Sequence, residues 1–289
     1  MKYALSAAIV AISIASPALA QRDFSKTEIK TTEVAGGIYM LEGAGGNIGL
    51  SIGQDGAFVI DDQFAPLSEK IMAAIQSLTD KPVEFVLNTH HHGDHTGGNE
   101  AMGKSGAHIV AHDNVRKRLL AADNTAAAAL PVITFSKTAT FYWNGHEAYI
   151  FHPENAHTDG DAIVFFRDIN VMHMGDVFFS GRYPYIDTGS GGSIDGFISA
   201  LEASAAMVNA DTKIIPGHGP LSTKVELEAA LTMLKDVRTR VQALIDDGLD
   251  EDAVIAAEPL ADLNDKWGWS FINGERMTRI AYQSLSTNN

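Results

Sequence analysis

The sequence predicts an α/β protein in which two β-sheets pack together and helices cover them from outside. Two observations predict it. Short apolar runs bounded by glycine-rich turns alternate with stretches of helical periodicity, and this mixture occurs in both halves of the chain. The composition, 45% hydrophobic and 20% charged over 289 residues, is that of a folded chain with a sizeable core. No repeated sequence marks the halves as duplicates.

Taken in order, Ile38–Leu41, Asn47–Ile52 and Ala57–Ile60 are short strands separated by Gly36-Gly37, Gly43 to Gly46 and Gln54-Asp55-Gly56. They read as part of an antiparallel meander over Thr27–Asp62. Pro66–Leu78 carries Ile71, Met72, Ile75 and Leu78 at helical spacing. Val83–Leu87 is a buried strand from which a polar loop, Thr89–Gly98, hangs. Helical stretches follow at Asn99–Lys104 and Asn114–Ala122, and the alanine-rich Thr125–Leu130 is a loop or short helix. Strands at Ala139–Trp143, Ala148–Phe151, Ala162–Phe166 and Val171–Met174 lead to a helix at Ile194–Val208 and a strand at Lys213–Ile215. From Thr223 onward the chain is helical, with Leu227, Leu231, Leu234, Val237, Val241 and Leu244 on one face of Val225–Ile245.

Charge and cysteine content exclude several functions. There are 21 Lys and Arg against 36 Asp and Glu, a formal charge of -15, which repels phosphate backbones and sets nucleic acid aside as a partner. Cysteine is absent, so disulfides, thiolate ligands and cysteine nucleophiles are excluded. Residues 1–20 have the form of an export leader: Lys2, an apolar stretch from Tyr3 to Ile14, and Ala18-Leu19-Ala20 as a small-x-small cleavage site. Ser6, Ser13, Ser16 and Pro17 interrupt the run, and about 20 apolar residues are needed to span a bilayer. The expectation is cleavage after Ala20, a periplasmic or secreted protein, and no membrane association once the leader is gone.

The chemistry concentrates in Asn88-Thr89-His90-His91-His92-Gly93-Asp94-His95-Thr96-Gly97-Gly98. Imidazole nitrogen and carboxylate oxygen suit zinc, iron or manganese. A loop serving two neighbouring metal ions needs ligands that alternate in direction, which the spacing of His90, His92, Asp94 and His95 provides. His91 points the other way and reads as a neighbour of the ligands. His108, His112, His146, His152 and His173 lack ligand spacing and read as surface or core residues. Asp61 or Asp62, at a strand end, is placed either to orient a ligating imidazole or to form a turn.

This loop resembles the hallmark of the metallo-β-lactamase superfamily. The resemblance extends in order through Asn155-Ala156-His157-Thr158-Asp159-Gly160-Asp161, Met174-Gly175-Asp176-Val177-Phe178 and Ile215-Pro216-Gly217-His218-Gly219-Pro220. It implies a four-layer αββα sandwich over residues 21–220, with residues 221–289 as a helical extension packed on the same body. It also implies two zinc ions: His90, His92 and His157 on the first, Asp94, His95 and His218 on the second, and Asp176 bridging them. The implied reaction is hydrolysis of a small-molecule substrate by metal-activated water attacking a carbonyl, with Asp94 as the catalytic residue that orients the water.

The substrate expectation follows from smaller features. The leader directs it to β-lactams. Asp176 within Gly-Asp-Val-Phe resembles instead the bridging aspartate of glyoxalase-type thioesterases and lactonases, so lactones, esters and thioesters form the alternative. A non-catalytic metal-binding protein would show a damaged ligand set, and this set is intact. Arg182, Tyr183 and Tyr185, Trp267 and Trp269, and the loop Gly43–Asn47 are the candidate substrate contacts, with Arg182 suited to a carboxylate.

Overall fold

The computed structural model describes residues 23–286, so the leader expected at residues 1–20 lies outside the described part. The chain opens with the expected meander: β1 (Lys30–Ala35), β2 (Ile38–Glu42), β3 (Ile48–Ser51) and β4 (Ala57–Ile60), all antiparallel. Gly36 and Gly37 both have positive φ, which a two-residue hairpin requires to match strand twist. The chain then changes habit. Helix α1 (Ser68–Gln76) leads to β5 (Val83–Asn88); two short helices, α2 (Gly93–Thr96) and α3 (Asn99–Lys104), lead to β6 (His108–His112); and α4 (Asp113–Ala121) precedes β7 (Ile133–Phe135). Strands β4 to β7 are parallel, completing a seven-stranded sheet in the order β1 to β7.

The second sheet has five strands: β8 (Thr138–Trp143), β9 (His146–Phe151), β10 (Ile163–Phe166), β11 (Val171–His173) and β12 (Lys213–Ile215), in the order β12-β11-β10-β9-β8. Helix α5 (Ile194–Met207) connects β11 to β12, which pair in parallel. Four more helices follow: α6 (Lys224–Asp246), α7 (Glu251–Ala256), α8 (Ala261–Trp267) and α9 (Gly274–Ser286). None of the helices of the described residues is long and apolar enough to cross a membrane.

Side-chain alternation along the strands produces the layers. Phe58 and Ile60 of β4 meet Val164 and Phe166 of β10 in the core between the sheets. Their neighbours point outward: Val59 packs with Leu67, Ile71 and Ile75 around α1, while Ile163 and Phe165 pack with Phe197, Leu201, Leu234 and Met277 of α5, α6 and α9. Strands buried on both faces read as continuous apolar runs, which is how β4 and β10 appear in the sequence. The arrangement is the expected αββα sandwich, and the C-terminal helices pack on its second sheet.

Two details differ from the sequence reading. β6 was not expected because its apolar part is only Ile109-Val110-Ala111 between two histidines; β7 is three residues long with Ile133 exposed. The loop Thr89–Gly98 contains a helical turn, α2. Simple alternation would aim Asp94 along with His90 and His92; the turn re-aims Asp94 and His95 towards a second point. The alanine-rich Thr125–Leu130, expected as a loop or short helix, holds a 3-10 turn at Ala127–Ala129.

Candidate metal centre

One edge of the sandwich collects the chain segments that carry the predicted ligands. β5 ends at Asn88, β11 at His173 and β12 at Ile215, and the loops beyond them carry His90 to His95, Asp176 and His218; His157 lies in the loop that enters β10. The fold draws these residues into two clusters. Nδ1 of His92 lies 3.1 Å from Nε2 of His90 and 3.0 Å from Nε2 of His157. Oδ2 of Asp176 completes this cluster at 3.9 Å from His90 and 3.6 Å from His157. In the second, Oδ2 of Asp94 lies 3.8 Å from Nε2 of His95 and 3.4 Å from Nε2 of His218. Oδ1 of Asp176 stands 3.1 Å from His95 and 3.4 Å from His218. Asp176 therefore offers one oxygen to each cluster.

These separations suit a metal ion. With zinc–nitrogen bonds of ~2.0–2.1 Å, tetrahedral ligands stand ~3.3–3.4 Å apart, in the middle of the observed spread. Nε2 of His95 and Oδ1 of Asp176 are buried and engaged in no hydrogen bond, an arrangement that costs free energy unless a cation pairs with both. All the donors are nitrogen or carboxylate oxygen, the set zinc, iron and manganese accept.

Partners on the far side of four of the five rings, those of His90, His92, His95 and His157, aim a ring nitrogen at the centre. Oγ1 of Thr89 donates to Oδ2 of Asp61 at 2.7 Å, so its oxygen is left to accept from Nδ1 of His90 at 3.1 Å. Nδ1 of His95 donates to Asp61 at 2.7 Å, and Nδ1 of His157 to the Tyr185 carbonyl at 2.8 Å. Nε2 of His92 donates to Asp187 at 3.0 Å. With one nitrogen of each of these four rings donating outward, it is the inward nitrogen that carries the lone pair in the neutral ring. Of the two strand-end aspartates, Asp61 is the orienting one. It is fully buried with a positive φ, and it also accepts from the Thr89 backbone at 2.7 Å. Asp62 instead accepts from the Gly98 backbone, and burial pushes its carboxyl well above the usual carboxylate range.

The charge balance divides the rings. Burial drives His157 down to about 4 and holds His90 well below the ordinary imidazole value, so both are neutral. Burial also opposes charge on His218, but Asp176 and Asp94 outweigh it and raise this ring to about 9. Asp176 is held well below the carboxylate range, because His218 and His95 overcome the effect of its burial. The second cluster is thus a place that demands positive charge.

An open pocket of about 1000 Å³ leads to the clusters. Its lining includes His92, Asp94, Asp176 and His218 of the clusters, Gly43, Ala44, Gly45 and Asn47 of the glycine-rich loop, and Arg182, Tyr185, Trp269 and Phe271. Arg182 and Tyr185 therefore stand where substrate contacts were expected. Tyr183 does not: it is completely buried in the core against the helices, where its backbone N–H donates to the Trp267 carbonyl and its carbonyl accepts from the Trp269 indole. Trp267 is likewise buried, while Trp269 lines the pocket. His91 belongs to neither ligand cluster; its ring stands 4.6 Å from that of His92, and with His92 and Asp187 it forms a separate grouping. His173 is fully buried and donates from Nε2 to the Asn47 carbonyl, holding the glycine-rich loop over the site, and His112 stacks on His152. His146 bonds Asp168, and His108 is exposed.

The sequence reading missed Asp187, Thr89 and Phe271. Asp187 sits eleven positions beyond Asp176 in a loop without a motif, and no spacing signals it. Thr89 was visible as the residue before His90, and a hydroxyl beside a ligating histidine is the available clue.

Comparison with known proteins follows this geometry. The sequence profile described as the metallo-beta-lactamase superfamily matches residues 43–219. A protein named hydroxyacylglutathione hydrolase from Rhodospirillum rubrum is 30% identical over 192 residues, 66% of this chain and 67% of the relative. A protein of the same name from Pelagibacter ubique is 30% identical over 150 residues, 50% of this chain and 56% of the relative. The matches thus span a little over half to two thirds of these relatives. Among solved structures, a metallo-beta-lactamase from Pontibacter korlensis superposes with a TM-score of 0.64 at 19% identity, covering 72% of this chain and all of that one; this likeness is one of fold.

Proposed function

The chain belongs to the metallo-beta-lactamase superfamily and is a metal-dependent hydrolase; on that premise we propose that it cleaves thioesters and related esters at a site holding two zinc ions. The observation that carries the reading is Asp176, whose two oxygens each face one ligand cluster. A carboxylate so placed resembles the bridging aspartate of glyoxalase-type thioesterases, and the sequence relatives bear the name hydroxyacylglutathione hydrolase.

His90, His92, His157 and Asp176 would hold one ion, and Asp94, His95, His218 and Asp176 the other. Metal bound there would supply acidified water near neutral pH and positive charge for the substrate oxygen. Asp94 is the ligand carboxylate most open to the pocket, with its side chain 26% exposed against 6% for Asp176, and is placed to accept the attacking water's proton in a hydrogen bond and so orient it. Arg182 lines the pocket with no ion-pair partner among the described residues and lies over the Trp269 ring at 5.1 Å, a cation available to an anionic substrate. β-Lactam hydrolysis is the second reading, favoured by the export leader, which would place the protein in the periplasm or outside the cell.

The test is turnover by zinc-loaded residues 21–289 of a hydroxyacyl thioester of glutathione and of a chromogenic cephalosporin, with Asp176→Asn and a chelator as controls. Thioester turnover that both controls abolish is expected. Turnover of the cephalosporin alone would replace the first reading by the second.

A further inference from the structure

We infer that residues 268–273, together with Tyr185, select substrates whose acyl group carries an aromatic ring; this rests on the hydrolase reading and names the substrate class of that same site. The segment lies beyond residues 43–219, the part matching the superfamily profile, so it is a feature of this chain's helical extension.

It is a fixed strap between α8 and α9. The Trp269 indole N–H donates to the Tyr183 carbonyl at 2.9 Å, the Trp269 backbone N–H to Ile272 at 2.9 Å, and the Tyr183 N–H to Trp267 at 2.7 Å. Ile272 is completely buried and anchors it. The strap thereby presents Trp269 and Phe271 to the pocket next to Tyr185. The Phe271 ring lies 5.5 Å from Trp269 and 5.6 Å from Tyr185, both edge-on, within the range of favourable aromatic pairs. The Arg276 guanidinium, 4.1 Å from the Phe271 centroid, steadies this ring.

Phe271 is nevertheless 44% exposed, a large apolar ring lining a pocket that also holds the polar clusters. Rings already held in place lose little freedom when another ring packs on them, so a flat apolar group gains most from this wall. The wall stands beside the first cluster, where the Tyr185 ring is 6.0 Å from His92 and 5.8 Å from His157. The pocket beside Asp94 is instead lined by the Gly43–Gly45 backbone. Trp269 also neighbours Phe179 at 6.5 Å, which stacks on His218, so the end of the wall formed by Tyr185 and Phe271 is the one that faces the first cluster, and the acyl group is assigned to that end.

The experiment uses the zinc-loaded mature chain and thioesters of one thiol with acetyl or phenylacetyl groups, together with calorimetric binding of phenylacetate and acetate. The expected result is kcat/KM higher by about tenfold or more for the phenylacetyl substrate, mainly through KM, and binding of phenylacetate in preference to acetate. Phe271→Ala should cut the phenylacetyl-to-acetyl ratio several-fold and Phe271→Leu less, each with an unchanged melting temperature. Tyr142→Ser, at an exposed aromatic on β8, should leave the ratio as it is. Equal kcat/KM values and equal binding in a chain that hydrolyses thioesters would overturn the selectivity and leave the hydrolase reading intact. A preference seen only when the ring is on the thiol would overturn the assignment to the acyl side. Phenylacetate binding without turnover of any ester would sink the hydrolase reading and keep the aromatic selectivity; neither binding nor turnover would overturn both.

Discussion

Replacing Asp61 by Asn separates orientation of a ligand from ligation itself. The carboxylate accepts three hydrogen bonds in a fully buried position: from the Thr89 backbone, the Thr89 hydroxyl and Nδ1 of His95. An amide of the same shape has one accepting oxygen and one donating nitrogen. If the amide oxygen takes the Oδ1 position and keeps the Thr89 backbone bond, the NH₂ group takes the Oδ2 position and faces both the Thr89 hydroxyl, which can turn to accept, and Nδ1 of His95. That nitrogen must then give up its proton, the proton moves to Nε2, and the lone pair aimed at the second cluster is lost. Removing such an orienting partner typically costs 10–100-fold in metal affinity, about 1.4–2.7 kcal/mol. The effect should fall chiefly on one ion of the two, because the first cluster feels Asp61 only through Thr89 and His90. The assay is stepwise zinc removal by a competing chelator, with activity followed in parallel. Asp62→Asn is the control: burial pushes its carboxyl well above the usual carboxylate range, and it accepts from the Gly98 backbone with no hydrogen bond to an imidazole, so zinc affinity should stay within about threefold of the parent. Unchanged affinity for both ions in Asp61→Asn, with the fold intact, would refute the orienting role.

The other predictions bear on the surroundings of the same centre. Gly46→Ala should abolish high-affinity binding of the second ion, measured by the same titration, because a Cβ there would collide with the His95 ring. Tyr183→Phe should leave KM unchanged and stability the same or slightly higher, by kinetics and thermal melting, since the hydroxyl is buried without a hydrogen-bond partner. Chelation should lower the melting temperature as well as activity: with zinc at 100 times its dissociation constant, each site contributes about 2.7 kcal/mol. Thr223→Ala, which removes the hydroxyl half of the capping box with Glu226 at the start of α6, should cost about 1 kcal/mol in denaturant unfolding without changing zinc affinity.

The amino-acid sequence determined the two-sheet architecture and pointed to the seven residues that the structure gathers into two clusters. The reason is local. Strands such as Ala57–Ile60 declare themselves by continuous apolar runs, and the ligands come as short motifs whose order along the chain carries the signal. Its limits were also local: β6 and β7 have too few apolar residues to show a period, and the helical turn α2 is hidden in a run of polar residues. The resemblance those motifs carry also implied how the seven residues divide between two points, and the structure groups them in that division with Asp176 facing both. Tertiary structure alone decided that Asp61, and not Asp62, meets His95, and that Asp187, 95 residues from His92 along the chain, holds the far side of that ring. It also placed Tyr183 in the core and brought Trp269 and Phe271 to the pocket beside Tyr185. Such pairings depend on how the loops of two sheets and a helical extension meet at one edge, and residue type and spacing carry no record of which distant backbone or ring will stand there.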